Sequence, residues 1–294
     1  MNKVGFIGVG IMGKSMVRNL MKAGFELHIY ARTKSKVEDV ICEGARFHES
    51  IKDCVQDCDA VITIVGFPQD VEEVYFDGGN ILDSAKKGAY LIDMTTTSPQ
   101  IAEKIYEEGT KRGFHVMDAP VTGGDTGAKA GTLSILVGGE KEDYEACMPL
   151  FEAMGTNINY QGKAGCGQHC KLANQIMIAG TLSGVCEALT YAKEQGLDPE
   201  VFMKSVATGA AGSKQLDTFG PKILKDDYAP GFFMKHFIKD MKLALIEANR
   251  KGLSLDVLSM VLANYEELEQ EGYGDLGTQA LMKFYDEEHR NTEE

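Results

Sequence analysis

Three glycines near the start of the chain are spaced as in a phosphate-binding turn. Gly8, Gly10 and Gly13 follow an apolar run and open a segment with apolar residues at helical spacing. In such a turn the first glycine permits a tight bend, the second lets backbone N–H groups approach a pyrophosphate, and the third lets the helix pack closely on the strand. The helix start, with Ile11 and Met12, would offer N–H donors and a positive dipole end to the anion. The spacing predicts a dinucleotide site, and a turn without ligand is the alternative.

The residues after the second predicted strand bear on which dinucleotide would bind. Arg32 stands nineteen positions after Gly13, where an acidic residue would bind the ribose 2′-hydroxyl of NAD. The guanidinium of Arg32, the hydroxyl of Thr33 and the ammonium of Lys36 instead suit a 2′-phosphate, which a carboxylate would repel. We therefore predict NADP (NADPH) as the preferred cofactor, with NAD as the alternative.

The seven cysteines offer thiol chemistry but no complete metal site. Cys54 and Cys58 are four residues apart, as are Cys166 and Cys170, which on a helix would place each pair on one face. Neither pair has the Cys-x-x-Cys spacing or the nearby histidine pair that a zinc site needs. We predict no metal site. Because no basic segment precedes an apolar one at the N-terminus, we expect reduced thiols in a cytoplasmic protein.

Short apolar strands alternate with helical segments through the first half of the chain. Strands are predicted over residues 3–9, 26–30, 60–65, 89–93, 114–118 and 132–137, and helices over 11–23, 34–43, 98–111 and 141–154. This alternation is typical of an α/β domain, in which a parallel sheet carries helices on both faces. The carboxyl ends of such strands are where open α/β sheets bind ligands.

The character of the sequence changes after about Gly162. Residues 165–195 form one long helical pattern with few breakers, and further helices are predicted over 198–206, 233–251, 255–270 and 278–287. Asp198 is expected to cap its helix, with Pro199 at the first helical position. We therefore predict two domains, residues 1–163 and 164–294, and the second is all-helical and begins with the long helix that joins them.

Composition excludes some classes of function. The 294 residues carry a net charge of −14, from 30 Lys and Arg against 44 Asp and Glu. Nucleic acid is not an expected partner, since phosphate neutralisation needs a basic surface. No run approaches the roughly 20 apolar residues of a membrane span, so no membrane is expected either. Between Asn264 and Glu294 ten acidic residues face two basic ones, a net charge of −8, which we interpret as a solvated helix and a frayed tail.

Three segments resemble signatures of the β-hydroxyacid dehydrogenase family. They are residues 6–13, residues 118–124 with the sequence DAPVTGG, and residues 162–175 with the sequence GKAGCGQHCKLANQ, and the resemblance extends over essentially the whole chain. It implies a Rossmann domain joined by a long helix to an all-helical domain. It also implies hydride transfer between a nicotinamide cofactor and a small carboxylate-bearing aldehyde or hydroxy acid, in a homodimer or homotetramer.

By the resemblance, Lys171 is the general acid and base of the reaction. Hydride addition to a carbonyl carbon leaves charge on the oxygen, which an ammonium group can stabilise and then protonate. In the oxidation direction a neutral Lys171 would act as the base. Asn174 and Gln175 follow at three and four residues, on the same helical face. Many family members have two asparagines here, and one amide is expected to orient the lysine or the substrate.

The resemblance assigns further residues to the substrate and the cofactor. Thr122 and the backbone of Gly123 and Gly124 resemble a loop that binds the substrate carboxylate, with threonine where serine is more usual. An ordinary turn after a strand is the alternative. The other implied contacts are Val65, Gly66, Thr96 and Lys239 with the cofactor, and Phe232 and Asp240 around the substrate. Since both halves contribute, the active site is expected in a cleft between the domains.

Several alternative functions stay open. Beside an NADPH-dependent reductase of a small semialdehyde or 2-oxo acid stands an NAD-linked 3-hydroxyisobutyrate dehydrogenase, which would differ mainly at Arg32. Imine reductases share the fold but usually lack the lysine, and 6-phosphogluconate dehydrogenases are longer. A non-catalytic NADPH-binding module is a hypothesis of a different class. Such a module would be expected to have lost Lys171 or the carboxylate loop, and this chain has both.

Overall fold

The computed structural model describes residues 1–285. The chain divides into two compact units, Met1–Lys171 and Leu172–Glu294, where the sequence pattern placed the division between residues 163 and 164. Residues 286–294 lie outside the described residues, and they include the end of the acidic segment 264–294 and the last two residues of the helix predicted over 278–287.

The first unit is built on a sheet of nine strands among its described residues. They are β1 (Lys3–Ile7), β2 (Glu26–Tyr30), β3 (Arg46–Phe47), β4 (Ala60–Thr63), β5 (Tyr90–Asp93), β6 (His115–Asp118), β7 (Val121–Thr122), β8 (Leu133–Gly139) and β9 (Gly155–Gly162). Their order is β3-β2-β1-β4-β5-β6-β8-β7, with β9 paired to β8. β1 to β6 pair in parallel, as predicted. The prediction of an all-parallel sheet is wrong at β8, which pairs antiparallel with β6 and β7 because the chain turns back instead of crossing over the sheet.

Nine helices accompany these strands in the first unit, every residue of which the structure describes. They are α1 (Ile11–Lys22), α2 (Glu38–Cys42), α3 (Ile51–Val55), α4 (Pro68–Phe76), α5 (Ile81–Ser84), α6 (Pro99–Lys111), α7 (Gly124–Ala130), α8 (Lys141–Ala146) and α9 (Met148–Met154). The helix predicted over 34–43 begins as a 3-10 turn, Lys34–Val37. The helix predicted over 141–154 is two helices, since Pro149 lacks an N–H and starts a new one after Cys147. The short α3, α4, α5 and α7, like β3, β7 and β9, went unpredicted.

Apolar side chains cover both faces of the sheet. Phe6 on β1 packs into one cluster with Leu20 of α1 and Phe151 of α9. Its neighbour Ile7 points the other way, into a second cluster that contains Tyr75 of α4. Successive strand residues alternate between the two faces, so a strand covered on both sides must be apolar throughout. The predicted α/β fold class is confirmed.

The second unit is helical. The long helix α10 (Cys166–Glu194) begins in the first unit and continues into the second, where it is followed by α11 (Pro199–Val206), α12 (Lys214–Ile223), α13 (Met234–Arg250) and α14 (Asp256–Gln270). Asp198 caps α11 as predicted, accepting hydrogen bonds from the backbone of Glu200 and Val201. α12 was missed because Gly220 and Pro221 interrupt its pattern. Thr278–Tyr285 is a 3-10 helix rather than the predicted α-helix.

α10 is the one helix within residues 1–285 that is long and apolar enough, by length and composition, to cross a membrane. A helix that runs through a protein core passes the same test. Leu182, Cys186 and Leu189 of α10 are buried in the apolar core of the second unit, together with Phe237 of α13 and Tyr265 of α14. Packing within that unit therefore accounts for part of the apolar composition of α10.

Candidate active site

Five parallel strands end at one level of the sheet. The register places Tyr30, Ile7, Thr63, Asp93 and Asp118 side by side across β2, β1, β4, β5 and β6. The strand order reverses at β1, which lies between β2 and β4. Open α/β sheets bind ligands beyond the carboxyl ends of the strands at such a switch point. The predicted residues that follow these strand ends, and so share this edge, are Gly8, Gly10, Arg32, Val65, Gly66 and Thr96.

The three glycines of the turn meet different physical requirements. Gly8 has φ +97°, and a Cβ there would overlap the carbonyl oxygen of Ile64. A Cβ on Gly13 would overlap the carbonyl oxygen of Gly8. Gly10 is different, because its φ of −86° suits any residue and nothing lies within 4 Å of its Cβ position. The fold therefore requires glycine at 8 and 13 but not at 10, and the open space over Gly10 fits an approaching pyrophosphate.

The start of α1 fits an anionic group. Gly10 caps this helix, and the first bond of its ladder runs from the N–H of Lys14 to the carbonyl of Gly10. The N–H groups of Ile11, Met12 and Gly13 belong to the first turn, which has no intrahelical acceptors for them. The first turn contains no acidic residue. These donors, with the positive end of the helix dipole, suit the pyrophosphate of a dinucleotide.

Arg32 lies beyond the end of β2 and is paired with a carboxylate. Its Nη1 lies 3.2 Å from Oδ1 of Asp70, while 73% of its side chain is exposed. The other oxygen of Asp70 accepts a hydrogen bond from the N–H of Phe67 at 2.9 Å, at the start of α4. Thr33 and Lys36 are also exposed. Asp70 was not anticipated, because it is 38 residues from Arg32 and no local pattern connects them.

A buried polar network joins the ends of β4 and β5. The Thr63 hydroxyl donates to Oδ1 of Asp93 at 2.7 Å, and the N–H of Thr95 donates to the same oxygen at 3.1 Å. The Thr95 hydroxyl accepts from the N–H of Val65 at 3.0 Å. Burial raises the pKa of Asp93 to about 6. The network fixes the two loops that carry the predicted cofactor residues.

Two side chains fasten the first turn of α10 to the sheet. Asp118, at the end of β6, accepts hydrogen bonds from the N–H groups of Gly165 and Gln168, each at 2.8 Å. Burial raises the pKa of Asp118, and these two N–H groups oppose the rise. The Gln168 side chain is fully buried. Its Oε1 accepts from the N–H of Thr97 at 2.9 Å, and its Nε2 donates to the carbonyl of Thr95 at 2.7 Å.

Two glycines allow the start of α10 to lie close to the sheet. A Cβ on Gly167 would overlap the carbonyl oxygen of Leu136 on β8, and it would lie 2.8 Å from Oδ2 of Asp118. A Cβ on Gly138 would lie 2.8 Å from the backbone nitrogen of Gly167. Gly167 and Gly138 therefore allow the start of α10 to pack closely on the sheet.

Lys171 follows Gln168 by three residues on α10, so the two side chains share one face of the helix. Only 7% of Lys171 is exposed, and a lysine buried to this extent is almost always paired with another group. Sequence patterns did not assign a role to Gln168 or Asp118, although both stand in the segments that carry the resemblance. The position of Gln168, one helical turn before Lys171, was the one sequence feature that could have indicated its role.

The predicted carboxylate loop is built from a strand end and a short helix. Thr122 ends β7 and pairs with Ser134 of β8. Gly123 and Gly124 have φ values of +130° and +64°, which L side chains rarely adopt. Nothing lies within 4 Å of the Cβ position of Gly124. Successive N–H groups in such a turn can form a concave anion site.

Two hydrogen bonds and one ion pair connect four predicted residues in the second unit. The Asn174 amide donates to Oε1 of Gln175 at 2.8 Å, and the Gln175 amide donates to Oδ2 of Asp240 at 2.6 Å. Nζ of Lys239 lies 3.0 Å from Oδ1 of Asp240, which is only 1% exposed. Phe232 is half-buried against the apolar core of the same unit.

Residues 1–285 contain no group of three or more His, Cys, Asp or Glu side chains that could hold a metal ion. Cys54 donates to the carbonyl of His28 at 3.3 Å, and Cys58, which lies beyond the end of α3, donates to the carbonyl of Cys54 at 3.1 Å. Burial raises the pKa of Cys58 to about 12 and that of Cys54 further. Both groups are therefore thiols at neutral pH.

Both units match known protein families. Residues 3–162 match the family described as the NAD binding domain of 6-phosphogluconate dehydrogenase. Residues 165–285 match the family described as NAD-binding of NADP-dependent 3-hydroxyisobutyrate dehydrogenase.

Individual relatives cover nearly the whole chain. An uncharacterized oxidoreductase of Bacillus subtilis, YkwC, is 49% identical over 96% of this chain and 98% of its own length. The 2-hydroxy-3-oxopropionate reductase of Escherichia coli is 37% identical over 86% of each chain. A structure of Mycobacterium tuberculosis 3-hydroxyisobutyrate dehydrogenase with L-serine is similar, with a TM-score of 0.88, 26% identity, and coverage of 96% of this chain and 98% of that one. The chain thus belongs to the β-hydroxyacid dehydrogenase family and is an NAD(P)-dependent oxidoreductase.

Proposed function

We propose that this protein is an NADPH-dependent reductase of small aldehydes that carry a carboxylate, with Lys171 as its general acid and base. One observation carries the proposal. Lys171 is a buried lysine on a helix whose first turn is hydrogen-bonded, through Asp118 and Gln168, to the ends of β5 and β6. Those strands end at the same edge of the sheet as the glycine turn after β1.

The cofactor would be held along that edge. The start of α1, with the open space over Gly10, suits its pyrophosphate. Arg32 would bind its 2′-phosphate, and Thr96 would lie on its nicotinamide side. NADPH bound there would supply the hydride that reduces the aldehyde.

Lys171 would stabilise the negative charge on the substrate oxygen and then supply its proton. When the carbonyl carbon is reduced, negative charge develops on its oxygen, and the Lys171 ammonium stabilises that charge by a hydrogen bond. The ammonium then donates its proton to the oxygen and yields the hydroxyl group. In the reverse reaction the neutral amine of Lys171 accepts the hydroxyl proton. Burial of the lysine strengthens these interactions, because water screens them less.

The substrate carboxylate would be bound by the loop after β7. The Thr122 hydroxyl and the N–H groups of Gly123 and Gly124 form an uncharged cradle for an anion. The E. coli relative is a reductase of 2-hydroxy-3-oxopropionate, a compound that carries both a carboxylate and an aldehyde. This pairing supports the proposed substrate class.

An NAD-linked hydroxy-acid dehydrogenase is the second candidate, and one observation favours it. Asp70 lies 3.2 Å from Arg32, so a carboxylate stands near the position where the adenine ribose would lie. A carboxylate there accepts hydrogen bonds from ribose hydroxyls and repels a 2′-phosphate. The cytoplasmic location and the homodimer or homotetramer stay predictions under either candidate.

A panel of substrates with both cofactors tests the proposed function. We expect NADPH oxidation with glyoxylate, succinic semialdehyde or tartronate semialdehyde, with higher kcat/KM for NADPH than for NADH. Equal or better efficiency with NADH, together with NAD-dependent oxidation of 3-hydroxyisobutyrate or L-serine, would favour the second candidate. A folded protein that binds NADPH and reduces none of the aldehydes would instead be a binding module.

Arg32→Ser is expected to weaken the preference for NADPH. Losing hydrogen bonds to a charged group costs about 1.5–3 kcal/mol, so the KM for NADPH should rise about 10- to 100-fold. The KM for NADH should change little. The matched control is Arg112→Ser, which removes another ion-paired arginine, at the end of α6. If Arg32→Ser raised both KM values equally, Arg32 would not select the 2′-phosphate.

A further inference from the structure

One buried side chain connects the helix of Lys171 with the loop of Thr96. The carboxamide of Gln168 accepts a hydrogen bond from the N–H of Thr97 and donates one to the carbonyl of Thr95. These two backbone groups flank Thr96, the residue that the proposed function places on the nicotinamide side. The amide pairs with this segment much as the backbone of a neighbouring strand would.

The same residue is fixed on the helix side. The N–H of Gln168 donates to Oδ2 of Asp118 at 2.8 Å, and Oδ1 of Asp118 holds the N–H of Gly165. Asp118 ends β6, the strand next to β5. The first turn of α10 is therefore attached to two adjacent strands, and Lys171 begins the next turn on the face of Gln168.

We propose that Gln168 is a positioning residue for the reaction, which holds Lys171 at a set distance from the segment around Thr96. This inference rests on the proposed function, because it needs Lys171 as the proton donor. Gln168 itself touches neither substrate nor cofactor in this role. A displacement of about 1 Å between reacting groups can reduce a rate about 100-fold, so a support of this kind affects turnover strongly.

The role requires one acceptor and one donor on the same group. Methionine has a similar length but offers neither partner, and both backbone groups would lose their bonds. Ionised glutamate would accept from Thr97 but would turn a second acceptor toward the carbonyl of Thr95. Protonated glutamate has the hydrogen-bonding pattern of glutamine, with a C=O that accepts and an O–H that donates. Because the position is fully buried, desolvation would raise the pKa of a glutamate there.

Gln168→Glu therefore works as a pH-dependent variant. Below the raised pKa of the introduced carboxyl group the bonding pattern is restored, and above that pKa the pattern is broken. At saturating NADPH and aldehyde, we expect the kcat of Gln168→Glu to be reduced about 100-fold at pH 8 and to approach the wild-type value as the pH falls toward 5. Gln168→Met should be reduced at every pH without recovery. The Kd for NADPH should change far less than kcat in both variants, since the glycine turn that would hold the pyrophosphate is untouched.

Two controls separate positioning from general damage. Gln195→Glu adds the same charge at an exposed residue just beyond α10 and should follow the wild-type pH profile. If Gln168→Glu does not fold at pH 8, Gln168→Met decides the matter, because it carries no charge. Wild-type kcat in Gln168→Met, or a deficit in Gln168→Glu that does not depend on pH, would overturn the proposal. Failure of the proposed function is recognised separately, by retained turnover in a variant without Lys171.

Discussion

Replacing Lys171 with methionine is expected to reduce kcat about 10²- to 10⁴-fold, the range that a positioned general acid contributes. The variant removes both the charge that stabilises the substrate oxygen and the proton that the oxygen receives. Methionine fills a similar volume, so the buried position stays packed. The Kd for NADPH should change little, because the proposed cofactor contacts lie on the glycine turn and the strand ends. Stopped-flow single turnovers and a fluorescence titration of NADPH measure the two quantities.

Two further variants test whether the loss of kcat comes from the proton that Lys171 donates and whether it is specific to this lysine. Lys171→Arg keeps the positive charge, but a guanidinium stays protonated at any working pH. If proton donation is the main role, arginine should restore little of the lost kcat. Lys193→Met is the matched control, since Lys193 is exposed in the last turn of the same helix. A kcat for Lys171→Met within tenfold of the wild type would show that another group supplies the proton.

Features that depend on neighbouring residues could be predicted from the sequence. The glycine turn is determined by three residues within six positions, and the structure has the strand, bend and helix that this spacing indicates. The Asp198 cap likewise depends on residues only two and three positions away, Glu200 and Val201. The long apolar pattern of α10 identified the helix to within one residue at each end. In these cases the residues that determine the conformation are also the residues that adopt it.

Features that depend on distant pairs could not be predicted. The bonds from Gln168 to the backbone around Thr96 join residues about 70 positions apart, and the ion pair between Arg32 and Asp70 joins residues 38 apart. A glutamine in an apolar helix has no local signature of its partners. The antiparallel β8 was missed for the same reason, because strand direction depends on where the chain returns to the sheet. The resemblance identified the segments around these residues, but only the folded chain shows which of their atoms meet.

Gly10 offers a test of the cofactor site that does not involve the chemical step. The fold does not need glycine at this position, because the backbone is in an ordinary extended conformation and a Cβ would have no neighbour within 4 Å. A pyrophosphate held by the N–H groups of α1 would cross this space. Gly8 is the contrasting position, where a Cβ would overlap the Ile64 carbonyl and the φ of +97° disfavours any side chain.

Gly10→Ala is therefore expected to leave thermal unfolding of the apo protein unchanged while it weakens NADPH binding. Loss of one or two hydrogen bonds to a charged phosphate corresponds to about 1.5–3 kcal/mol each, so Kd should rise at least about tenfold. The rise in Tm that saturating NADPH produces in the wild type should shrink accordingly. Gly8→Ala should instead lower the Tm of the apo protein, since strained backbone alone costs about 1–3 kcal/mol. A wild-type Kd in Gly10→Ala would mean that the pyrophosphate does not cross Gly10, and the dinucleotide would then have to bind elsewhere on the carboxyl edge of the sheet.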